Sequence, residues 1–315
     1  MNQKKYILAI ETSCDDTSIA ISCNNHILSN VTLTTLKSHK QYGGIVPEIA
    51  ARGHEADLSV CYKQALKQAK IREADIVHVA YTATPGLPGS LHVGKVFAKS
   101  IASLLNVQLI PVDHMMGHIY SFTINDEGIV KYPFLALVIS GGHTAIYLIK
   151  SIHEYQVLNQ TADDAMGETL DKVGRILNLD YPGGVSIDKI YDDKKTTLKM
   201  INHFKPDQSF SFSGIKTHIF NYVNQSKMKN KKVDKVLVAS SLLNWVVEEA
   251  RIKLEYYITK YPHVKFIAVG GGVSANKLLR NKLSKLRLPI RLPKNKYTND
   301  NAAMIAVYAH LSKNN

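Results

Sequence analysis

The feature that most constrains the fold is a repeated succession of apolar strand, small polar turn and second apolar strand. Residues 6–10 form an unbroken apolar run, and a polar turn at 11–17 separates it from a second strand at 18–23. The same layout returns where strand 134–139 is followed by the polar turn 140–144. A repeat of this kind predicts two related α/β lobes that face a cleft.

Length and composition agree with two lobes. The 315 residues exceed one average domain, and an apolar content of 45% allows a large buried core. The polar stretch 125–132 is the predicted boundary. We therefore expect an N-terminal lobe at 1–128 and a C-terminal lobe at 129–300, with a final helix at 301–313 that packs back on the N-terminal lobe.

Charge and cysteine usage bear on partners and compartment. Lys and Arg number 39 against 26 Asp and Glu, so the net charge of +13 favours polyanions such as nucleic acid. A generally lysine-rich composition is the alternative. The three cysteines show no metal-ligand spacing, and no segment approaches the roughly 20 apolar residues that span a bilayer. These features predict a cytoplasmic protein with no membrane partner.

Two histidines four residues apart form a candidate metal site. On a helix, His114 and His118 lie on one face and could hold a single ion. A zinc protease of the His-Glu-x-x-His type needs a Glu after the first His as its general base, but Met115 stands there. Asp300, a carboxylate at a loop-to-helix junction, is the best candidate for a third ligand. Two ordinary helical histidines are the alternative.

Glycine-rich turns after strands are candidate anion or ligand sites. Strand 76–81 leads through the turn 82–91 to a helix at 92–105, and strand 266–269 leads into the turn 270–276. A helix opening at 163–168 is expected to be closed by 178–184. Residues 209–217 alternate in polarity, which favours a strand.

Three of the turns resemble a known superfamily. Residues 11–16, 140–144 and 270–276 look like the phosphate-1, phosphate-2 and adenosine turns of the actin, sugar-kinase and Hsp70 superfamily. One branch, the TsaD (Gcp) family, is matched by ten motifs in order along the chain. They are Glu-Thr-Ser-Cys-Asp, Tyr-Gly-Gly-x-x-Pro-Glu, Pro-Gly-Leu-x-Gly, His-x-x-Gly-His, Ser-Gly-Gly-His-Thr, Gly-Glu-x-x-Asp-Lys, Asp-Tyr-Pro-Gly-Gly, Phe-Ser-Gly-x-Lys-Thr, Gly-Gly-Val-x-Ala-Asn and Asp-Asn-x-Ala-Met-Ile-Ala.

The resemblance implies both a fold and an activity. The fold would be a two-lobed α/β fold of the actin, sugar-kinase and Hsp70 (ASKHA) type, with duplicated lobes around a nucleotide cleft. The activity would be transfer of the threonylcarbamoyl group from threonylcarbamoyl-AMP to N6 of the adenosine at tRNA position 37, with release of AMP.

The resemblance also assigns site residues. His114, His118 and Asp300 would hold one divalent metal ion per chain, with iron(II) favoured and zinc possible. Glu11, Asp15 and Asp16 would be the catalytic acidic residues, although Glu is commoner in the family at the place of Asp16. The adenylate part of the donor would be bound by Val138, Ile139, Ser140, Gly141, Gly142, Asp171, Gly184, Asp188 and Asn276.

The partners implied by the resemblance are tRNA, a TsaB-like paralogue, a TsaE-like ATPase and a TsaC-type enzyme that makes the donor. Lys216 could meet phosphate or tRNA, or be a surface lysine. The basic stretches 227–232 and 277–296 could follow the tRNA backbone. Two other functions compete with the transferase: a metallo-endopeptidase, and a non-enzymatic ATP-dependent scaffold.

Overall fold

The structure is a computed structural model that describes residues 6–39, 42, 44–126, 128–195, 198 and 204–314. Gly43 of the Tyr-Gly-Gly motif and Glu127 of the predicted boundary lie outside the described residues. The chain divides into unit 1, Met1–Val130 with Leu292–Asn315, and unit 2, Lys131–Arg291. Residues 292–300, expected in the C-terminal lobe, lie in unit 1 because they lead into the last helix, which packs on the first sheet.

Unit 1 contains one five-stranded sheet and the helices around it. Its strands are β1 (Tyr6–Glu11), β2 (Asp16–Cys23), β3 (His26–Thr34), β4 (Ile76–Thr84) and β5 (Gln108–Asp113). Its helices are α1 (Leu36–His39), α2 (Pro47–Ala69), α3 (Pro88–Leu105), α4 (His114–Tyr120) and the last helix of the chain, α10 (Ala302–Asn314).

The sheet of unit 1 has the strand order β3-β2-β1-β4-β5. The first three strands are antiparallel, and β2 and β3 are joined by a tight turn in which Asn24 adopts φ 55°. By contrast, β4 and β5 run parallel to β1, which requires crossover helices. The carboxyl ends of β1, β4 and β5 therefore meet at one edge of the sheet.

Helices cover both faces of this sheet. Apolar residues of α10, among them Met304 and Ile305, form one buried cluster with β1 and β5. On the other face, Leu58 of α2 and Ala98 of α3 belong to a second cluster. Both α2 and α3 carry Pro in the first turn, where the missing amide hydrogen costs nothing.

Unit 2 also contains one five-stranded sheet. Its strands are β6 (Phe134–Ile139), β7 (Thr144–Ile149), β8 (Tyr155–Gln160), β9 (Ile267–Gly270) and β10 (Ile290–Arg291). Its helices are α5 (Met166–Ile176), α6 (Gly183–Ile190), α7 (Ser213–Met228), α8 (Lys235–Lys260) and α9 (Lys277–Leu283).

The sheet of unit 2 repeats the topology of the first. Its order is β10-β9-β6-β7-β8, in which β6, β7 and β8 are antiparallel neighbours and β9 and β10 run parallel to β6. β6 therefore takes the place of β1, and β9 that of β4. This confirms the prediction of duplicated α/β units.

One sequence expectation in unit 2 was wrong. Residues 209–217 were expected as a strand, but α7 begins at Ser213. The reason is distant in sequence, because Oδ1 of Asp163 accepts from the amides of Phe212 and Ser213 at 2.8 and 3.3 Å and caps that helix. The helix expected to be closed by 178–184 does end there, since α5 ends at Ile176 and Asn178 has φ 51°, and Gly183 then begins α6.

Among the described residues, no helix has both the length and the apolar character that a membrane crossing requires.

Candidate metal centre and nucleotide-binding turns

The two histidines lie on α4, directly after β5. Asp113 caps this helix by accepting from the amide of Met116 at 3.1 Å. The rings of His114 and His118 are buried, with their centroids 4.6 Å apart. Between them, Gly117 lets α4 approach α10, since an added Cβ would lie 3.0 Å from Ile305 Cδ1. This close packing brings the start of α10 to the histidines.

Asp300 stands just before α10 and completes the cluster. Its Oδ1 lies 3.1 Å from Nε2 of His118 and 3.5 Å from Nε2 of His114. The residues that follow it are held in place, because the amide of Ala302 donates to Ser18 Oγ at 2.9 Å. The three residues each offer one ligand atom, and these atoms lie within 4.8 Å of one another. The structure thus brings together the three predicted metal ligands.

Glu11 lies behind His114 at the end of β1. It is fully buried, and its Oε2 lies 3.1 Å from Nδ1 of His114. Oε2 also accepts from the hydroxyl of Thr82, and Oε1 accepts from the amide of Ser13 at 2.5 Å. The predicted catalytic residue Glu11 therefore contacts a histidine of the cluster and is closed off from solvent.

The charges of this cluster are strongly coupled. Burial alone would lower the pKa of His114, but the carboxylates of Glu11 and Asp300 outweigh it and raise the pKa to about 9. Burial would raise the pKa of Glu11, but the charge and hydrogen bond of His114 lower it below its ordinary value. Two carboxylates at a buried site thus call for a positive charge.

The donor set fits a divalent metal ion. Two imidazole nitrogens and one carboxylate oxygen are ligands that suit iron(II) and zinc, and three protein ligands leave coordination positions open. In metal sites, the ring nitrogen of a histidine that does not bind the metal usually donates to a carboxylate. Glu11 offers such a carboxylate to Nδ1 of His114. Nδ1 of His118 has no partner among the described residues.

Asp15 and Asp16 lie in the turn between β1 and β2, with Asp16 opening β2. Burial and the charge of Asp300 raise the pKa of Asp15. Burial and the charge of Asp15 raise the pKa of Asp16 to about 7. The acidic turn and Asp300 are therefore close enough to influence one another, and Asp16 can exchange a proton near neutral pH.

In unit 2, the predicted adenylate turn follows β6. Val138 and Ile139 are buried strand residues, and the turn after them is exposed. A Cβ added at Gly141 or Gly142 would meet nothing within 4 Å, so this backbone borders open space. Gly271, with φ 87°, would place a Cβ 2.3 Å from Ile139 O, so only glycine allows this close approach.

The other predicted adenylate residues form two hydrogen-bonded pairs. Oδ1 of Asp171 accepts from the amide of Gly184 at 3.1 Å. Oδ1 of Asp188 accepts from Nδ2 of Asn276 at 2.8 Å, and Asn276 Oδ1 caps α9 through the amide of Leu279. Burial raises the pKa of both Asp171 and Asp188.

Several residues that contact the sites were not singled out from the sequence. Thr82, which donates to Glu11, and the buried His54 of α2, which contacts Cys14 and Thr17, are examples. Thr82 lies just beyond the expected strand 76–81. Extending that strand parallel to β1 would have placed Thr82 near Glu11, because β1 and β4 pair Ile10 with Tyr81, the residues just before them.

Part of the basic surface is used within unit 2. Lys216 pairs with Asp164 Oδ2 at 2.5 Å, and its contact with phosphate or tRNA stays a prediction. The Arg280 side chain donates to Ser274 O, that of Arg287 to Ile258 O, and Arg291 lies over the ring of Phe266. By contrast, Lys227, Lys229, Lys231 and Lys232 are exposed.

The two units define a class of protein. Each has a mixed sheet of the same strand order with the sites at strand ends, as in ASKHA proteins, and the chain is similar to HypF from T. kodakarensis with a TM-score of 0.66. That similarity covers 100% of this chain and 49% of HypF at 12% identity, and it shows the fold alone.

The family follows from sequence comparison. The family model TsaD, tRNA N6-adenosine threonylcarbamoyltransferase, matches residues 26–307. The protein of that name from Ureaplasma urealyticum serovar 10 is 46% identical over 310 residues, covering 98% of this chain and 96% of the relative. The one from Mycoplasma pneumoniae is 40% identical over 326 residues and covers 100% of both chains. This chain belongs to the TsaD family.

Proposed function

We propose that this chain transfers the threonylcarbamoyl group of threonylcarbamoyl-AMP to N6 of the adenosine at tRNA position 37 and releases AMP. The observation that carries the proposal is the cluster of His114, His118 and Asp300, with Glu11 behind His114, in a chain of the TsaD family. Relatives of 40–46% identity carry the corresponding enzyme name.

The chemistry of the reaction sets what the site must supply. The exocyclic amine of adenine is a weak nucleophile, because its lone pair is delocalised into the ring. It attacks the carbamoyl carbon of the donor, a new C–N bond forms, and the bond from that carbon to the AMP phosphate oxygen breaks. The amine loses one proton. Rate therefore comes from positioning, carbonyl polarisation and proton removal.

His114, His118 and Asp300 would hold the metal ion, with iron(II) favoured and zinc the alternative. When bound, such an ion supplies Lewis-acid polarisation of donor oxygens. The role of Glu11 would be to orient His114, because its carboxylate accepts from Nδ1 and leaves the Nε2 lone pair directed at the cluster. Glu11 is thus better suited to positioning than to proton transfer.

Asp15 and Asp16 are the proposed proton acceptors for N6. Asp16 has a pKa of about 7, which suits a group that takes up a proton at neutral pH. Asp15 lies next to it and is also influenced by the charge of Asp300. The aspartate at position 16 is one methylene shorter than the commoner glutamate. The turn that carries it must therefore bring its carboxylate closer to N6 of the adenosine than a glutamate would need.

Unit 2 would hold the adenylate part of the donor. The turn of Ser140, Gly141 and Gly142 after β6 suits a phosphate, since it follows a buried strand and its two glycines border open space. Asp188 and Asn276 combine a carboxylate with an amide, which suits the hydroxyl groups of a ribose. Val138, Ile139, Asp171 and Gly184 support these turns from β6, α5 and α6.

tRNA is the proposed acceptor, and the exposed lysines of 227–232 are proposed to contact its phosphates. We further propose that a TsaB-like paralogue and a TsaE-like ATPase act with this chain, that a TsaC-type enzyme supplies the donor, and that the reaction takes place in the cytoplasm. Modification of tRNA by the purified chain given donor alone would contradict the dependence on partners.

The two competing functions receive less support. A peptidase of the His-Glu-x-x-His type needs a carboxylate next to the first histidine, where the buried Met115 stands. A scaffold of the Hsp70 type would bind ATP without any tRNA modification, and it gives no reason for the cluster of His114, His118 and Asp300.

Mass spectrometry of nucleosides tests the proposal. tRNA lacking the modification is incubated with this chain, its partners, threonine, bicarbonate and ATP. We expect threonylcarbamoyladenosine with the wild type and a loss of at least about a hundredfold with Asp300→Ala. Absence of the product with the wild type under complete conditions would contradict the proposed function.

A further inference from the structure

A buried histidine outside the metal cluster contacts the acidic turn. His54 lies on α2 and has an exposed fraction of 0%. Its Nε2 lies 2.9 Å from the carbonyl oxygen of Cys14, and its Nδ1 lies 2.8 Å from the hydroxyl of Thr17. One imidazole ring therefore bridges two positions that flank Asp15 and Asp16.

These contacts determine the tautomer of His54. A carbonyl oxygen can only accept a hydrogen bond, so Nε2 must carry the proton and donate to Cys14. Nδ1 is then the acceptor, and Thr17 donates its hydroxyl proton to it. Burial lowers the pKa of His54, which keeps the ring neutral.

The neighbouring carbonyls of the turn are also held from outside. The carbonyl oxygen of Ser13 accepts from the amide of Leu87 at 2.8 Å. That of Asp15 accepts from both the amide and the hydroxyl of Thr35, at 3.2 and 2.9 Å. The hydroxyl of Thr35 in turn lies 3.0 Å from Nε2 of the buried His39. Three successive carbonyls are thus fixed. His54 holds the central one at 2.9 Å, and the hydroxyl of Ser90 also donates to it at the longer distance of 3.4 Å.

A purely structural reason for His54 is weak. An apolar side chain could fill the space between α2 and the sheet without the cost of burying a polar ring. A lysine or arginine there could also reach the carbonyl of Cys14, but it would neutralise the carboxylates of the turn. A neutral imidazole holds the backbone without forming an ion pair with Asp15 or Asp16.

We propose that His54 is a positioning residue for the transfer reaction, which fixes the backbone from Cys14 to Thr17 and so aims the carboxylates of Asp15 and Asp16. This rests on the proposed function. A displacement of about 1 Å in a proton acceptor can cost a factor of about a hundred in rate. Loss of the His54 hydrogen bonds therefore lowers the rate of transfer without removing a group that touches substrate.

The test compares two substitutions at this position. His54→Leu removes both hydrogen bonds and keeps the bulk, whereas His54→Gln keeps a donor at the place of Nε2. Thr17→Val leaves the ring in place and removes only the proton donated to Nδ1. His153→Leu, at an exposed histidine of unit 2, is the matched control. Each variant is measured in the complete complex with partners, donor and tRNA.

Four quantities are measured for each variant: the single-turnover rate at saturating substrates, the KM for tRNA from a substrate titration, the iron content per chain, and hydrogen exchange of the amides of 13–17. For His54→Leu we expect a rate about tenfold to a hundredfold lower, unchanged KM and iron content, and faster exchange in the turn. His54→Gln should recover most of the rate and the protection. Thr17→Val should give a smaller loss.

An unchanged rate in both His54→Leu and Thr17→Val would overturn the proposal, as would a failure of His54→Gln to recover any rate. Loss of iron and of protection throughout β1 in His54→Leu would show a role in folding instead. If the wild type transfers nothing, the proposed function fails separately. Hydrogen exchange then tests the role of His54 independently of activity, because unchanged protection of the turn in His54→Leu would contradict the positioning role.

Discussion

Glu11 and His114 form a buried pair in which the carboxylate Oε2 lies 3.1 Å from the imidazole Nδ1. The two residues come from the end of β1 and the start of α4, 103 positions apart in sequence. The pair keeps a proton on Nδ1 of His114, and Nε2 on the other side of the ring lies 3.5 Å from Asp300 Oδ1. The geometry of the candidate metal centre thus depends on a residue that is not itself one of its ligands.

Substitution of Glu11 should weaken metal binding without abolishing it. We expect Glu11→Gln to lower the affinity for iron(II) or zinc about tenfold to a hundredfold, because the ligand His114 loses its charged partner. Competition with a chromophoric chelator measures this. Glu55→Gln, at an exposed position of α2, serves as the control. Equal affinities for Glu11→Gln and wild type would contradict the role assigned to the pair.

Substitution in the adenylate turn should affect AMP binding and the free energy of unfolding differently. A Cβ at Gly142 meets nothing within 4 Å, so Gly142→Ala should leave the free energy of unfolding within about 0.5 kcal/mol of wild type. If the donor phosphate approaches this backbone, the same substitution should weaken AMP binding at least about tenfold. Calorimetric titration with AMP and urea unfolding measure the two effects.

Gly271→Ala is the matched comparison for that experiment. Gly271 has a φ of 87°, and an added Cβ would lie 2.3 Å from Ile139 O. The substitution should therefore destabilise the protein by at least about 2 kcal/mol. AMP affinity in Gly142→Ala equal to wild type would remove Gly142 from the donor site.

Asp163 should be needed for the start of α7. Its Oδ1 accepts from the amides of Phe212 and Ser213, and its Oδ2 accepts from the hydroxyl of Ser211 at 2.6 Å. We expect Asp163→Ala to lower stability by about 1–2 kcal/mol and to speed amide exchange at 212–217. The exposed Asp193→Ala is the control. Protection of the first turn of α7 that survives Asp163→Ala would contradict this capping role.

The buried pair of Glu249 and Lys253 on α8 should make stability depend on pH. Burial raises the pKa of Glu249 from 4.5 to about 7, although the charge of Lys253 opposes the shift. Between these values the unfolded chain has released the proton and the folded chain retains it, so the free energy of unfolding falls as pH rises. The fall amounts to roughly 3 kcal/mol and is complete once pH exceeds about 7.

Glu249→Gln should remove this component. Urea unfolding at pH 5 and pH 7.5 gives the change in stability for each protein, and the wild type should lose more stability across that interval than the variant does. Identical losses in the two proteins would show that Glu249 titrates as an ordinary exposed carboxyl.

The strands beside the sites could be predicted from sequence because their signal is local. The apolar runs at β1 and β6 end in small polar turns, and the spacing of His114 and His118 is visible on one helix. The duplicated topology follows from these runs and was confirmed. Asp300 was a candidate third ligand from its place at a loop-to-helix junction, but only the resemblance to a family joined it to the histidines, because no local pattern links residues 182 positions apart.

Features set by distant contacts could not be predicted in this way. The start of α7 depends on Asp163, 50 positions before Ser213. The contact of Thr82 with Glu11 depends on the register of two parallel strands, and that of His54 with Cys14 depends on how α2 packs. The edge strand β8 is largely exposed and β10 has two residues, so neither carries a clear apolar pattern.

The measurement that tests the central claim most directly is reconstitution of metal-stripped protein. The complete complex is depleted of metal, supplied with iron(II), zinc or buffer, and assayed by mass spectrometry for threonylcarbamoyladenosine in tRNA. We expect the product to return with added metal in the wild type and to stay absent in His114→Ala and Asp300→Ala. Full product formation by the stripped protein, or by either variant, would contradict a metal centre formed by His114, His118 and Asp300.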